Sequence, residues 1–169
     1  MEPLTILFMV LLFVVVSILW TNYFGAPWAP TSLSKINTML TMAEVGENDL
    51  VYDLGCGDGR IIVTAAVRFR ARAVGFEIDP LRYFWCQIII TVLGIRDRVQ
   101  VIYGNFFHQD LSPASVVTCY LLPDTNIKLE KKLKDELQTG TRVVSHSFLF
   151  PGLNQVVKDY KKKIYYYQI

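Results

Sequence analysis

A chain of 169 residues holds one domain of ordinary size with its own core, and is too short for two such domains plus a membrane segment. Its 17 Lys and Arg stand against 15 Asp and Glu, and a formal net charge of +2 gives no field of the kind that binds nucleic acid, which is set aside as a partner. Cys56, Cys86 and Cys119 form no C-x-x-C pair and have no histidine nearby at ligand spacing, so no metal site or disulfide framework is expected; they read as small buried thiols in a reducing compartment.

The chain opens on an apolar run, Leu4 to Trp20, and no charged residue occurs between Glu2 and Lys35. With Thr21 to Phe24 added, a helix of this length covers roughly 30 Å, the hydrocarbon thickness of a bilayer. Trp20, Tyr23, Phe24 and Trp28 then fall near one interface, where amphipathic rings are favoured. The competing reading is a cleaved signal peptide, but there is no basic n-region and no small-x-small cleavage site. Residues 1–24 are therefore expected to form a transmembrane anchor, with the basic residues starting at Lys35 on the other side.

Residues 25–34, a Pro-rich linker, lead into a domain expected over 35–169. Thr31, Ser32 or Ser34 can cap a short helix from about Lys35 to Met42. Strand-like and helical patterns then alternate: a strand Leu50 to Leu54, a helix Gly59 to Phe69, a strand Ala73 to Glu77, a helix Pro80 to Leu93 and a strand Val99 to Tyr103. After them come a strand Ser115 to Leu122, a helix Thr125 to Leu137 and a strand Arg142 to Phe148. This alternation predicts a parallel sheet with helices on both faces. The link Gly104 to Pro113 is too short for a crossover helix, so a loop or single turn should replace it. Beyond the Pro151-Gly152 turn, Gln155 to Tyr160 and Lys163 to Ile169 suit a hairpin added antiparallel to the sheet edge. The helix Pro80 to Leu93 is apolar nearly all round; either its outer side meets a membrane or membrane-embedded substrate, or it packs into extra core. The runs KLEKKLKDE and KDYKKK read as solvated faces.

Chemistry concentrates in Val51 to Ile62, VYDLGCGDGRII, where a hydrophobic strand ends in an acid followed by glycines at alternate positions. Gly55, Gly57 and Gly59 permit a sharp strand-to-helix turn and a close backbone approach to a ligand, at the strand end where open α/β sheets bind one. The spacing departs from the G-x-G-x-x-G dinucleotide fingerprint. Asp53 stands where its carboxylate meets the cationic amino group of an amino-acid-like cofactor, and would repel a pyrophosphate. Glu77, at the end of the next strand, can accept both hydroxyls of a ribose.

With D-L-G-C-G-D-G-R and E-I-D-P, the sequence resembles the seven-β-strand methyltransferases that use S-adenosylmethionine (SAM). That resemblance implies a Rossmann-like, doubly wound, mostly parallel α/β sheet. It also implies that Gly55, Cys56 and Gly57 pack under the methionine part of the cofactor, with Ile78 on the adenine and Asn105 and Phe106 of G-N-F-F beside it. A closer resemblance runs from about Pro27 to Phe148. The pieces A-P-T, Y-D-L-G-C-G-D-G-R-I-I, V-V-T-x-x-L-L and L-x-x-E-L-x-x-G-T-R-V-V-S-H-x-F look like the protein-lysine methyltransferases of archaea. They are also similar to the membrane-anchored lysine methyltransferases of mitochondria and bacteria, whose eukaryotic members modify a ring protein of ATP synthase and the adenine nucleotide carrier. In this family the linker folds over the cofactor, which implies Pro30 and Thr31 against SAM.

Methyl transfer to an amine needs an aligned neutral nitrogen and exclusion of water, without a nucleophilic triad or metal. A low-polarity aromatic channel depresses the lysine pKa. Tyr120, Phe106 and Phe148 end their strands where that channel should open; ordinary core packing is an equal reading for each phenylalanine, and Tyr120 is the stronger candidate. His146, in VVSH, can orient substrate or accept a proton through water, or serve as a hydrogen-bonded structural residue. The stretch YLLPDT lacks the N-P-P-Y tetrapeptide that grips planar amide and nucleobase nitrogens, which disfavours those targets. The resemblance therefore implies lysine methylation of a membrane or membrane-associated protein by a single-pass membrane protein with its catalytic domain in the cytoplasm, where SAM is made. The alternatives are methylation of a lipid or hydrophobic small molecule, and a catalytically silent SAM-binding scaffold.

Overall fold

The structure is a computed structural model and describes residues 2–9, 11–12, 15 and 29–169. The expected anchor, residues 1–24, lies largely outside the described residues. Among those described, no helix is long and apolar enough to cross a membrane.

The domain proper begins with α1 (Leu33–Met42), whose Ile36, Met39 and Leu40 are buried. Then follow β1 (Leu50–Leu54), α2 (Arg60–Phe69), β2 (Arg72–Glu77), α3 (Pro80–Val92) and β3 (Val99–Tyr103). A single 3₁₀ turn, Phe106–His108, stands where a crossover helix was not expected to fit. The remaining elements are β4 (Val116–Cys119), α4 (Pro123–Glu136), β5 (Arg142–His146), β6 (Gln155–Asp159) and β7 (Ile164–Gln168). These strands form one mixed sheet ordered β3-β2-β1-β4-β5-β7-β6. The first five run parallel, while β7 joins β5 antiparallel and β6 lies outside it.

Two strands are shorter than their sequence patterns suggest, each for a local reason. β4 stops at Cys119 because Pro123 starts α4 at its first-turn position, with Asp124 complementing the helix N-terminus. β5 stops at His146 because Ser147 takes φ +69°, a left-handed conformation that no strand continues through.

Alternation along the strands divides the core in two. Val51, Ala73, Val101, Val116 and Val144 face α1, α2 and α3. Tyr52, Leu54, Phe76, Val117, Cys119 and Val143 face Leu129, Leu133 and Leu137 in and just beyond α4. On this second face the loop after β3 contributes Leu111 and Ala114 in place of a helix. The parallel strands consequently end together on one edge, and there the connections following β1, β2, β3 and β4 converge.

Candidate active site

β1 ends in Asp53, which is 2 % exposed, and the chain then turns through Gly55, Gly57 and Gly59 at φ +78°, +59° and +80°. All three conformations lie in the left-handed region, so the alternate glycines are what this turn requires. The turn's N–H groups are engaged within the protein. Those of Gly55 and Cys56 donate to the Phe76 carbonyl at 3.0 and 2.9 Å, and that of Gly57 donates to Glu77 Oε2 at 2.7 Å. What the glycines offer a ligand is therefore a low surface free of Cβ atoms rather than unused donors. At Gly55 a Cβ would approach Leu121 Cδ2 to 3.3 Å.

Two carboxylates lie beside this surface. Asp53 Oδ1 accepts from the Thr118 hydroxyl at 2.8 Å, whereas Oδ2 is buried with no hydrogen-bond partner in the described structure. Burial pushes the Asp53 carboxyl up to about 7; the Thr118 bond opposes this and the charges of Glu77 and Asp58 add to it. Glu77 is 4 % exposed and uses one oxygen for the Gly57 N–H and the other for the Asp79 N–H at 2.8 Å. Burial raises its pKa too, against the pull of those two N–H groups. Each of its oxygens keeps a second lone pair for a hydroxyl donor.

A cavity of about 300 Å³ extends from these acids along the strand edge. Of the residues singled out from sequence, Pro30, Thr31, Asp53, Gly55, Cys56, Gly57, Glu77, Ile78, Asn105, Phe106 and Tyr120 all line it. Gly59 is not on the cavity wall; it caps α2 from behind, where a Cβ would come within 2.9 Å of Cys86 Sγ. Asn105, expected beside the adenine, uses its side-chain oxygen to accept from Phe107 N–H at 2.9 Å, capping the 3₁₀ turn, so one of that oxygen's two lone pairs is already engaged.

His146 and Phe148 do not line the cavity either, and sit behind Tyr120. The Tyr120 ring lies 4.1 Å from that of His146 and 6.4 Å from that of Phe148, stacked on the latter at 27°. His146 is buried, with Lys35 Nζ 2.9 Å from Nε2 and Thr31 Oγ1 3.3 Å from Nδ1. An ammonium can only donate, so Nε2 accepts and Nδ1 carries the proton toward Thr31. Burial and, secondarily, the Lys35 charge bring the imidazole down to about 4, and it is neutral at physiological pH.

The structure adds residues that sequence reasoning missed. Arg60 grips Asp58 through Nε at 2.8 and 3.0 Å and donates from Nη1 to the Thr31 carbonyl at 2.9 Å. Thr31 is thus held by its carbonyl from the glycine turn and by its hydroxyl from β5. Phe107, whose ring is 4.7 Å from that of Phe106, and Leu121, Thr125 and Lys128 complete the wall beside Tyr120. The D-G-R tripeptide was a visible signal for Arg60; nothing local in sequence marks Thr125 or Lys128.

The cavity fits SAM by its donor set: a buried carboxylate with one oxygen unpartnered among the described residues for an ammonium, a second carboxylate with spare lone pairs for ribose hydroxyls, and a wall of Ile78, Phe106 and Phe107 for a flat base. A seven-strand sheet of this order with that cradle at its carboxyl edge defines a SAM-dependent methyltransferase. Residues 53–157 match the model of the ANTKMT methyltransferase domain, and the chain belongs to that family. It is 47% identical over 135 residues to a protein-lysine N-methyltransferase of Saccharolobus islandicus, covering 78% of this chain and 84% of the relative. It is also 29% identical over 125 residues to the adenine nucleotide translocase lysine N-methyltransferase of Mus musculus. There 74% of this chain is covered, and the chain spans about half the length (54%) of that relative. Among solved structures, an RNA methyltransferase from Salinibacter ruber in complex with S-adenosyl-L-homocysteine superposes with a TM-score of 0.79 at 40% identity, covering 83% of this chain and 94% of the other.

Proposed function

We propose that this enzyme transfers methyl groups from SAM to lysine side chains of a membrane or membrane-associated protein. One observation carries the reading: a single cavity joins the two-carboxylate cradle at Asp53 and Glu77 to an aromatic wall at Tyr120, backed by the stacked Phe148 ring. The cradle would hold the cofactor, Asp53 taking its ammonium and Glu77 its ribose. When bound, SAM supplies an electrophilic methyl carbon on a sulfonium.

The chain's own residues then have three tasks. The aromatic wall excludes water and disfavours the ammonium form of an entering lysine, so that a neutral nitrogen is available. Tyr120 borders the acceptor and orients it. His146 and Phe148 act through Tyr120 and Thr31 as positioning residues: the neutral imidazole supports the Tyr120 ring on one side and anchors Thr31 on the other. A histidine with both nitrogens engaged is poorly placed to take the lysine proton, which is lost to bulk water as the side chain enters the cavity.

The names of the archaeal and murine relatives support a lysine acceptor. Support for a membrane substrate is the uncharged apolar run from Leu4 to Trp20, which we assign to a single-pass anchor over residues 1–24 with the linker 25–34 and domain 35–169 on the cytoplasmic side. Leu122 and Leu149, exposed within two residues of Tyr120 and Phe148, offer an apolar apron to such a substrate.

Incubating purified full-length enzyme and tritiated SAM with membranes from the same cells, followed by extraction, distinguishes the acceptors. Label in a protease-sensitive protein fraction, located by mass spectrometry on methylated lysine, is expected. Label extracting with lipid, or with RNA, refutes the proposal and assigns the enzyme to that acceptor instead.

A further inference from the structure

We infer that the outer face of α3 lies in the surface of an anionic lipid bilayer, seating the cofactor edge of the domain beside the membrane. This rests on the reading that the Leu4 to Trp20 run enters a bilayer.

Only Cys86 and Ile90 of this helix are buried. Extra core packing therefore does not account for its apolar composition. Phe84, Trp85, Ile88 and Val92 are 59, 52, 54 and 77 % exposed, and their spacing puts them on one stripe. Tyr103, 52 % exposed, extends that stripe at the cofactor edge, its ring 5.5 Å from that of Tyr83. Contiguous exposure of this kind marks an interaction surface.

Charge decides which occupant fits. Arg96 folds back onto Thr91 Oγ1 through Nη2 at 2.7 Å, which sets its guanidinium at the C-terminal end of the stripe. Arg98 donates to the Arg70 carbonyl at 2.9 Å, so Arg70 and Arg98 are neighbours in the same corner. All three arginines are exposed; of the acids there, Asp97 pairs with Arg98 at 3.5 Å and Glu47 lines the adjoining hollow. An apolar stripe with aromatic rings and an arginine rim is the pattern of a helix lying in the interface, its apolar side among the upper acyl chains and its cations among anionic headgroups.

Chain geometry permits the contact. Eight residues separate Trp20 from Ala29, and so few can span at most roughly 30 Å. A domain tethered that closely meets the bilayer at high effective concentration, and a weak surface suffices to orient it. Because α3 begins two residues after Ile78, and Arg82 on its first turn lines the cavity, the orientation brings the cofactor edge of the cavity to the membrane level.

The test uses the full chain. Its tryptophans are Trp20, Trp28 and Trp85, so W20F/W28F leaves Trp85 as sole reporter. The protein is reconstituted into vesicles of phosphatidylcholine and phosphatidylglycerol carrying lipids brominated near the headgroup or near the bilayer centre. Expected is flotation with the vesicles and quenching of Trp85 by about twofold or more from shallow bromines, less from deep ones. R96E should weaken that quenching on anionic vesicles and leave it unchanged on phosphatidylcholine alone. Flotation with Trp85 unquenched overturns the α3 surface while leaving the anchor standing, and failure to float overturns both. A concentration-dependent blue shift in detergent, without quenching by lipid, assigns the face to a second copy and also overturns the proposal.

Discussion

Lowering the pH from 8 to 6 should weaken cofactor binding about tenfold, chiefly through Asp53. Its carboxyl titrates at about 7 because it is buried, and Oδ2 has no hydrogen-bond partner in the described structure. At pH 8 about nine-tenths of the molecules carry the carboxylate and at pH 6 about a tenth do, so an ammonium that binds only the ionised form loses that factor in apparent affinity. Calorimetry with SAM and with its demethylated product, in buffers of different ionisation enthalpy, reads both the loss and the proton released on binding at pH 6. D53N should bind roughly ten- to a hundredfold more weakly at pH 8, a lost charge-assisted bond, with most of the slope between pH 6 and 8 gone. A flat pH profile in the unsubstituted enzyme, or an unchanged slope in D53N, would refute the assignment of the ammonium to Asp53. The same shift acts on folding. A carboxyl raised above its unfolded value stabilises most below about 4 and loses that contribution as pH rises through about 7, so the cofactor should raise Tm more at pH 8 than at pH 6.

His146 works in the opposite sense: its pKa is lowered from 6.5 to about 4, so its contribution is complete above 6.5 and lost as pH falls toward 4. With Asp53 silenced in D53N, Tm should fall between pH 7 and pH 4, and D53N/H146N should lose that part of the slope. Gly75 faces Cys56 Sγ and Ile62 Cδ1, which a Cβ would meet at 2.7 and 2.9 Å, so G75A should cost about 1–3 kcal/mol in thermal or denaturant unfolding. R60A removes the bond to the Thr31 carbonyl, and with Arg60 partly exposed the loss is about 1 kcal/mol; the KM for SAM should rise about fivefold, and kcat should fall with it because Thr31 also meets His146 behind Tyr120, both read in steady-state assays.

The residues of the cofactor cradle were readable from sequence because backbone rules dictate them. Three left-handed residues in a five-residue turn demand glycine, and an acid at the end of each of two adjacent parallel strands has to lie at the ligand edge. The strand-helix alternation and the C-terminal hairpin followed from hydrophobic period and from turn residues at Pro151-Gly152. What the glycines do was less legible. The N–H groups of Gly55 and Gly57 bond to Phe76 and Glu77, partners on a strand some twenty residues on, and no local pattern announces that pairing. His146 was recognisable as an edge residue, but its engagement with both Lys35 and Thr31 depends on how α1 crosses β5. Tyr120 was the stronger candidate of the two by pattern, and the left-handed Ser147 separates them further, ending β5 early and leaving Phe148 behind Tyr120. The outer side of α3 was ambiguous because composition alone cannot distinguish a helix buried all round from one exposed on an apolar face.

Thr31 links these parts. Its carbonyl is held by Arg60, which opens α2 directly after the glycine turn, and its hydroxyl by His146, which supports the Tyr120 ring, so one residue of the linker touches both the Asp53 side and the Tyr120 side of the cavity. Any displacement of the linker consequently reaches both sides at once. If the preceding run is held in a bilayer, Thr31 fixes where the cavity stands relative to that bilayer, and only lysines within roughly the reach of the linker can enter. Selection of substrate would then rest on height above the membrane more than on a sequence-reading groove, which agrees with an acceptor end built on the Tyr120 ring, with Leu121, Thr125 and Lys128 lining the same cavity.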